Sequence, residues 1–62
     1  MWRKKISMQV LEVLINSINA QIKELNNAGY NLYDADNVDW YLTKVRYSKE
    51  DDRLYFDTEE DK

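Results

Sequence analysis

The segment Asp34-Ala35-Asp36-Asn37-Val38-Asp39 carries the carboxylate and amide side chains that could ligate Ca²⁺. An EF-hand loop starting at Asp34 would need an oxygen ligand at its fifth position, glycine at its sixth and glutamate at its twelfth. Val38, Asp39 and Val45 occupy those three positions. We therefore interpret the segment as a polar turn that leads into a strand, and we predict no metal site.

The residue types needed for catalysis are scarce. Histidine and cysteine are absent, which removes the usual general base, the strongest nucleophile and the thiolate metal ligands. The three serines have simpler roles as a helix cap, a helix-surface residue and a turn residue, and the only glycine, Gly29, cannot form a phosphate-binding loop. A hairpin on one helix offers paired carboxylates no cleft that would raise the pKa of one of them. We predict a protein that is not an enzyme and uses no cofactor.

Charge is distributed unevenly between the two halves of the chain. Residues 1–31 carry four basic and two acidic side chains, a net charge of +2, whereas residues 32–62 carry five basic and ten acidic ones, a net charge of −5. The acidic half disfavours direct binding of nucleic acid and favours a basic protein surface. Lys44 and Arg46 alternate with aromatic residues, a pattern that can hold single-stranded nucleic acid, but we interpret it as ordinary strand alternation.

Acidic and aromatic residues are concentrated in the second half of the chain, where they predict a binding surface. Clustered acids would speed the encounter with a basic partner, and aromatic side chains would anchor it. The simpler interpretation is a solubilising turn and tail. The predicted partner-binding residues are Tyr47, Glu50, Asp51, Asp52, Tyr55, Phe56 and Asp57.

The small size, the acidity and the aromatic hairpin together are similar to small phage-encoded inhibitors of host enzymes. The abundance of Asn, Lys, Tyr and Ile is typical of an AT-rich coding sequence. We therefore expect a phage or mobile-element inhibitor or regulator that occludes a basic surface of a host protein. That surface could be one that normally holds nucleic acid.

The N-terminal residues combine Trp2 with three basic side chains, an arrangement also found in signal peptides and membrane anchors. Gln9, Glu12 and Asn16 interrupt the apolar stretch that follows, and no apolar run approaches the roughly 18 residues of a membrane span. The absence of cysteine fits a reducing compartment. We predict a cytoplasmic location without membrane contact.

The first half of the chain predicts a long helix over residues 7–28. Ser7 can act as N-cap, and Gly29 stands where a left-handed residue ends a helix, with Tyr30 placed to contact Leu25. The apolar residues follow the 3-4 spacing of a helical seam, namely Met8, Leu11, Ile15, Ile18, Ile22 and Leu25.

The second half predicts a β-hairpin over residues 38–57. Its apolar spacing also fits a second helix, but its residues are mainly β-branched or aromatic, which favours strands. Residues 48–52 have the length of a hairpin connection, although they lack glycine. We also predict a short strand over residues 30–33 and a frayed acidic tail over residues 58–62. The expected fold class is α+β, a single small domain with one long helix on a hairpin or a three-stranded meander.

Helix length provides a further expectation. A helix over residues 8–28 would measure about 31 Å, longer than the roughly 27 Å diameter of a compact domain of this size. We therefore expect a homo-oligomer whose contact surface is the helical seam, through Leu11, Ile15, Ile18 and Ile22. Two alternatives to the inhibitor follow: a structural or assembly component built on this seam, and a small-molecule sponge formed at a dimer interface.

Overall fold

The computed structural model describes residues 6–61. It contains a helix α1 (Met8–Asn27) followed by strands β1 (Tyr33–Asp34), β2 (Asn37–Ser48) and β3 (Arg53–Glu60). The strands form an antiparallel meander in the order β1-β2-β3. The predicted α+β class is confirmed. The predicted roles of Trp2 and the basic residues after it lie outside the described residues.

Helix α1 begins and ends where its capping residues predict. The Ser7 hydroxyl accepts a hydrogen bond from the Val10 N–H at 3.2 Å. Gly29 has a φ of 86°, and the two hydrogen bonds of a Schellman ending follow: Tyr30 N–H to Leu25 C=O at 2.9 Å and Gly29 N–H to Asn26 C=O at 3.1 Å. The side-chain cap satisfies a first-turn N–H and the Schellman bonds satisfy last-turn carbonyls, groups that a bare helix end would leave without partners.

The hairpin of β2 and β3 is longer than predicted. Tyr47 pairs with Leu54 near the turn, and Trp40 pairs with Glu60 at the far end. The predicted frayed tail is therefore wrong for residues 58–60, because that segment gains backbone hydrogen bonds from β2 that its polar sequence does not reveal. The short strand predicted over residues 30–33 is displaced to Tyr33–Asp34, with Leu32 contributing one further backbone bond to Leu42 at 2.8 Å.

Two local features shape this hairpin, which has no glycine in its turn. Asp52 has a φ of 54°, so an aspartate occupies the left-handed turn position, where Asp is tolerated better than most residues. Thr43 is an extra residue in β2 opposite β3, at the register shift between Leu42 and Lys44. Its hydroxyl donates to the Asp57 carbonyl oxygen at 3.0 Å, which gives that oxygen a partner at the bulge.

The helix is attached along one edge of β2. Among the described strands it approaches only β2. The Asn19 side-chain amide bonds both backbone groups of Val45, and the Asn26 amide donates to the Leu42 carbonyl oxygen at 3.3 Å. Because β1 is only two residues long, these asparagines supply partners that a longer first strand would have provided.

This arrangement encloses very little apolar surface. Ile22, at 3% exposure, is the only fully buried apolar side chain within residues 6–61. The Cα radius of gyration is 13.8 Å, compared with about 11 Å for a compact domain of this length. One helix at the edge of a sheet covers only part of that sheet, so most apolar side chains keep contact with solvent.

Candidate functional site

One face of the hairpin is apolar along both strands. On β2 it carries Leu42, Val45 and Tyr47, which are half-buried and lie on the strand that the helix approaches. Their cross-strand partners on β3 include Phe56 and Leu54, which are 65% and 48% exposed. The helix therefore covers the β2 side of this face and leaves the β3 side in contact with solvent.

An open cavity of about 250 Å³ lies at the boundary between β1, β2 and β3. Its lining is mainly apolar, with one carboxylate, and consists of Leu32, Tyr33, Asp34, Leu42, Phe56 and Thr58. A volume of this size is below the range of about 300–1,000 Å³ that small-molecule pockets occupy. It is large enough for one long side chain of a partner.

The carboxylate of this cavity is held in place by its own turn. Asp34 Oδ1 accepts from the Asp36 N–H at 2.9 Å, and Oδ2 accepts from Asn37 Nδ2 at 3.3 Å. The Asp36 N–H, followed by Asn37, lowers the pKa of the Asp34 carboxyl group below its ordinary value. A fixed negative charge therefore stands beside the apolar lining, where a cationic side chain would be bound favourably.

The same end of the sheet collects further carboxylates. Trp40 pairs with Glu60, and the Asp61 N–H donates to the Asp39 carbonyl oxygen at 2.6 Å. These pairings bring the β1–β2 turn and the end of β3 together, and we call the resulting set the acidic end: Asp34, Asp36, Asp39, Glu60 and Asp61. The strands and turn that form it contain no Lys or Arg between residues 32 and 43 or between residues 54 and 61.

Four tyrosines donate their phenol O–H to carboxylates along the sheet. The pairs are Tyr33 with Asp61, Tyr41 with Glu59, Tyr47 with Asp52, and Tyr55 with Asp51. The hydrogen bonds to Asp61 and Asp51 raise the pKa of Tyr33 and Tyr55, and burial, followed by the charge of Glu59, raises the pKa of Tyr41. These pairs hold carboxylates against the sheet in fixed positions.

The predicted partner-binding residues are divided by the structure. Glu50, Asp51 and Asp52 lie in the turn between β2 and β3, where Lys49 and Arg53 flank them and reduce their net charge to −1. The acidic end carries −5 over its own five residues, or −4 when Lys62, which follows Asp61 in the sequence, is included, and it lies about 26 Å away along the strands. Charge is thus more concentrated at the end of the sheet that the sequence did not single out.

The remaining predicted residues lie on different faces. Asp57 accepts from Arg46 Nε at 3.1 and 3.2 Å, and the same guanidinium lies 5.5 Å from the centre of the Tyr55 ring. Phe56 projects from the opposite face by strand alternation. Tyr55 and Asp57 are therefore engaged within the chain, whereas Phe56 is available for a contact.

The predicted self-association residues are mostly turned toward β2. Ile22 is buried and Leu11 and Ile15 are half-buried, on the same helical face as Asn19, which bonds β2. Ile18 is 40% exposed and lies to the side of that face. It adjoins an exposed apolar flank that the sequence analysis did not separate from the seam, formed by Val10, Leu14 and Leu25.

The sequence does not reveal the acidic end because its two groups of residues, 34–39 and 60–61, are more than 20 positions apart and meet only through strand register. The close spacing of Asp34, Asp36 and Asp39 is an available signal, but by itself it indicates only a turn. Within residues 6–61 no three His, Cys, Asp or Glu side chains are arranged to hold a metal ion. No helix in that range is long and apolar enough to cross a membrane.

Comparison with protein-family models, with curated proteins and with solved structures finds no match to this chain. The class that the fold and site define is thus a structural one, a small α+β meander with an acidic end and an open apolar face.

Proposed function

We propose that this chain is a non-enzymatic protein-binding module that occludes a basic surface of a partner. The observation that supports the proposal is the acidic end, which adjoins an open apolar cavity with the Asp34 carboxylate in its lining. A lysine or arginine of the partner would place its alkyl stem between Leu32, Leu42 and Phe56. Its charged group would meet Asp34, and the other carboxylates would attract the surrounding basic surface.

The biological role that we propose is that of an inhibitor or regulator encoded by a phage or another mobile element. It would act in the host cytoplasm and cover a basic surface of a host protein, for example a surface that normally holds nucleic acid. Clustered negative charge competes with phosphates for such a surface because both bind the same lysine and arginine side chains. The chain itself would not contact nucleic acid, for the same electrostatic reason.

The experiment is recovery of partners from a bacterial lysate with three versions of the tagged chain. We compare the natural chain, the Asp36→Asn/Asp39→Asn variant and the Glu50→Gln variant, each washed at low and at physiological salt. Both carboxylates of the double variant are exposed, so the change removes charge and leaves the fold intact. The expected partner is a basic protein that the natural chain and Glu50→Gln retain and the double variant loses.

Raising the salt concentration should weaken partner binding by the natural chain more than partner binding by the double variant, because screening acts on the charges that the variant lacks. Loss of the partner with Glu50→Gln alone would instead place the surface at the β2–β3 turn, as the sequence predicted. A partner with an acidic face, or one that all three versions retain equally at both salt concentrations, would contradict the proposal.

A further inference from the structure

The outward direction of the β3 backbone follows from contacts on β2. The Val45 N–H and C=O both bond Asn19, so they point away from β3. Val45 is directly opposite Phe56, and in an antiparallel pair two facing residues point their backbone groups either toward or away from each other together. The N–H and C=O of Phe56 therefore point away from β2, toward the outside of the sheet.

The same reasoning extends along the strand. Leu42 uses its N–H for Leu32 and its C=O for Asn26, away from β3, and it is opposite Thr58. Leu54 lies two residues before Phe56 on the same strand, so its N–H and C=O point in the same outward direction. Leu54, Phe56 and Thr58 thus present a row of backbone donors and acceptors at the free edge of β3. No strand within residues 6–61 pairs with that edge.

A free edge of this kind is a template for a further strand. β3 is eight residues long, contains no proline, and carries its exposed Phe56 and Leu54 beside the open backbone groups. These features favour pairing with another chain rather than protection from it.

We propose that a second copy of this chain pairs antiparallel with β3, with Phe56 of both copies at the two-fold axis. In this register Phe56 faces Phe56 and Leu54 faces Thr58 on the apolar side. On the other side Arg53 faces Glu59 and Tyr55 faces Asp57. Opposite charges therefore meet at both ends of the paired segment, and the backbone groups of Leu54, Phe56 and Thr58 in each copy find partners.

Neighbouring registers fit less well. With the axis at Asp57, two like charges face each other directly, which is destabilising. With the axis at Tyr55, the paired segment shortens to residues 53–57, so the outward-facing backbone groups of Thr58 find no partner strand. With the axis at Phe56 the segment covers residues 53–59 and ends where Asp52 leaves the strand at its φ of 54°.

Pairing along one short strand covers less than the about 800 Å² per partner of a standard interface. We therefore expect a dimer that forms at micromolar rather than nanomolar concentration. The dimer uses Phe56 and Thr58, which also line the cavity of the proposed function, whereas Asp34, Asp36 and Asp39 lie outside the paired segment. Variants of those carboxylates therefore test the proposed function, and the β3 variants below test the dimer.

The absence of cysteine from the sequence allows a direct test of the register. Single variants Phe56→Cys, Tyr55→Cys and Asp57→Cys are each oxidised and analysed for a covalent dimer. Facing backbone positions of an antiparallel pair lie about 5.5 Å apart when hydrogen-bonded, within disulfide range. Phe56→Cys should cross-link most rapidly. Faster cross-linking of either other variant would overturn the register, and cross-linking of none would overturn the dimer.

Sedimentation of two Thr58 variants tests edge pairing without a cysteine. Thr58→Pro removes an outward N–H that the sheet does not use, at an edge where proline is tolerated, whereas Thr58→Val keeps it. Thr58→Val and the natural chain should sediment at twice the 7.5 kDa chain mass when the concentration is raised to about 100 µM, and Thr58→Pro should remain monomeric. Equal masses for the two variants would overturn the proposal.

Exchanging the charges at positions 53 and 59 tests the proposed pairing even if Thr58→Pro fails to fold. Arg53→Glu and Glu59→Arg should each remain monomeric alone, because positions 53 and 59 would then carry like charges that face each other in the dimer. An equal mixture should recover the dimer, because one variant is acidic at both positions and the other is basic at both. Failure of the mixture to recover it would contradict the proposed pairing.

Discussion

The side-chain amide of Asn19 makes the two hydrogen bonds with Val45 that a neighbouring strand would make. Asn19 Nδ2 donates to the Val45 carbonyl oxygen at 2.9 Å, and the Val45 N–H donates to Asn19 Oδ1 at 2.7 Å. A single helical residue thus satisfies both backbone groups of a β2 residue that β1 is too short to reach. The relationship fixes the position of the helix along the sheet and, through strand pairing, the direction of the free edge on β3.

Asn19→Ala should lower the free energy of unfolding by about 2 kcal/mol, because it leaves two part-buried backbone groups without partners. Urea unfolding followed by circular dichroism measures the change. Asn26→Ala should lower the free energy of unfolding by less. It removes only one hydrogen bond, of 3.3 Å, and it also removes a buried amide oxygen that has no partner within the described chain, which offsets part of the loss. Asn16→Ala, on the exposed side of the helix, is the control. Equal losses for all three would contradict the role assigned to Asn19.

Ile22 and Ile18 should respond differently to truncation. Ile22→Ala removes the one enclosed apolar side chain of the described chain and should cost about 3 kcal/mol, whereas truncating Ile18, at 40% exposure, should cost clearly less. Thermal unfolding of the two variants at equal concentration tests the difference. A larger loss for Ile18→Ala, especially one that grows with protein concentration, would favour self-association through the helical seam instead.

Gly29→Ala should destabilise the chain by about 1 kcal/mol through backbone strain alone. A Cβ at position 29 would meet no atom within 4 Å, but the φ of 86° is one that side-chain-bearing residues rarely adopt. Gly29→Asn should cost less than Gly29→Ala, because asparagine tolerates left-handed conformations better. Thermal unfolding provides the measurement, and an alanine variant as stable as the natural chain would contradict the strained ending.

Alkaline pH should weaken the fold. The pKa values of Tyr33, Tyr41 and Tyr55 are raised above their ordinary value of 10.0. A raised folded-state pKa stabilises the protein fully below the unfolded value, and that contribution is lost as pH rises through the folded value. The free energy of unfolding should therefore fall above about pH 10, and tyrosinate absorbance should develop at higher pH in the folded chain than in urea.

The contribution of the Tyr55–Asp51 pair to the tyrosine titration can be isolated with Asp51→Asn. Because the hydrogen bond to Asp51 is the largest cause of the raised Tyr55 pKa, removing the carboxylate charge should bring part of the tyrosine absorbance to lower pH. Asp36→Asn, whose side chain bonds no tyrosine within the described residues, should leave the titration unchanged. Identical titration curves for the natural chain and Asp51→Asn would show that the pair does not persist in solution.

The local structure of this chain can be predicted from residue types, because short-range signals are physically sufficient for it. Ser7 and Gly29 fix the ends of the helix through hydrogen bonds that span three to five residues, and the β-branched and aromatic residues after Val38 favour strands over a second helix. These interactions join neighbours in the chain, so the amino-acid sequence contains the information that sets them.

The surfaces that stay open depend instead on tertiary contacts. Nothing near Asn19 indicates that its amide will meet Val45, 26 positions away, and nothing near Thr58 indicates that the expected tail will pair with β2. Strand register sets both outcomes, and it also gathers the acidic end and turns Phe56 outward. A change of one residue in that register would reverse every side chain of β3, so the surfaces that this protein presents depend on contacts between distant positions.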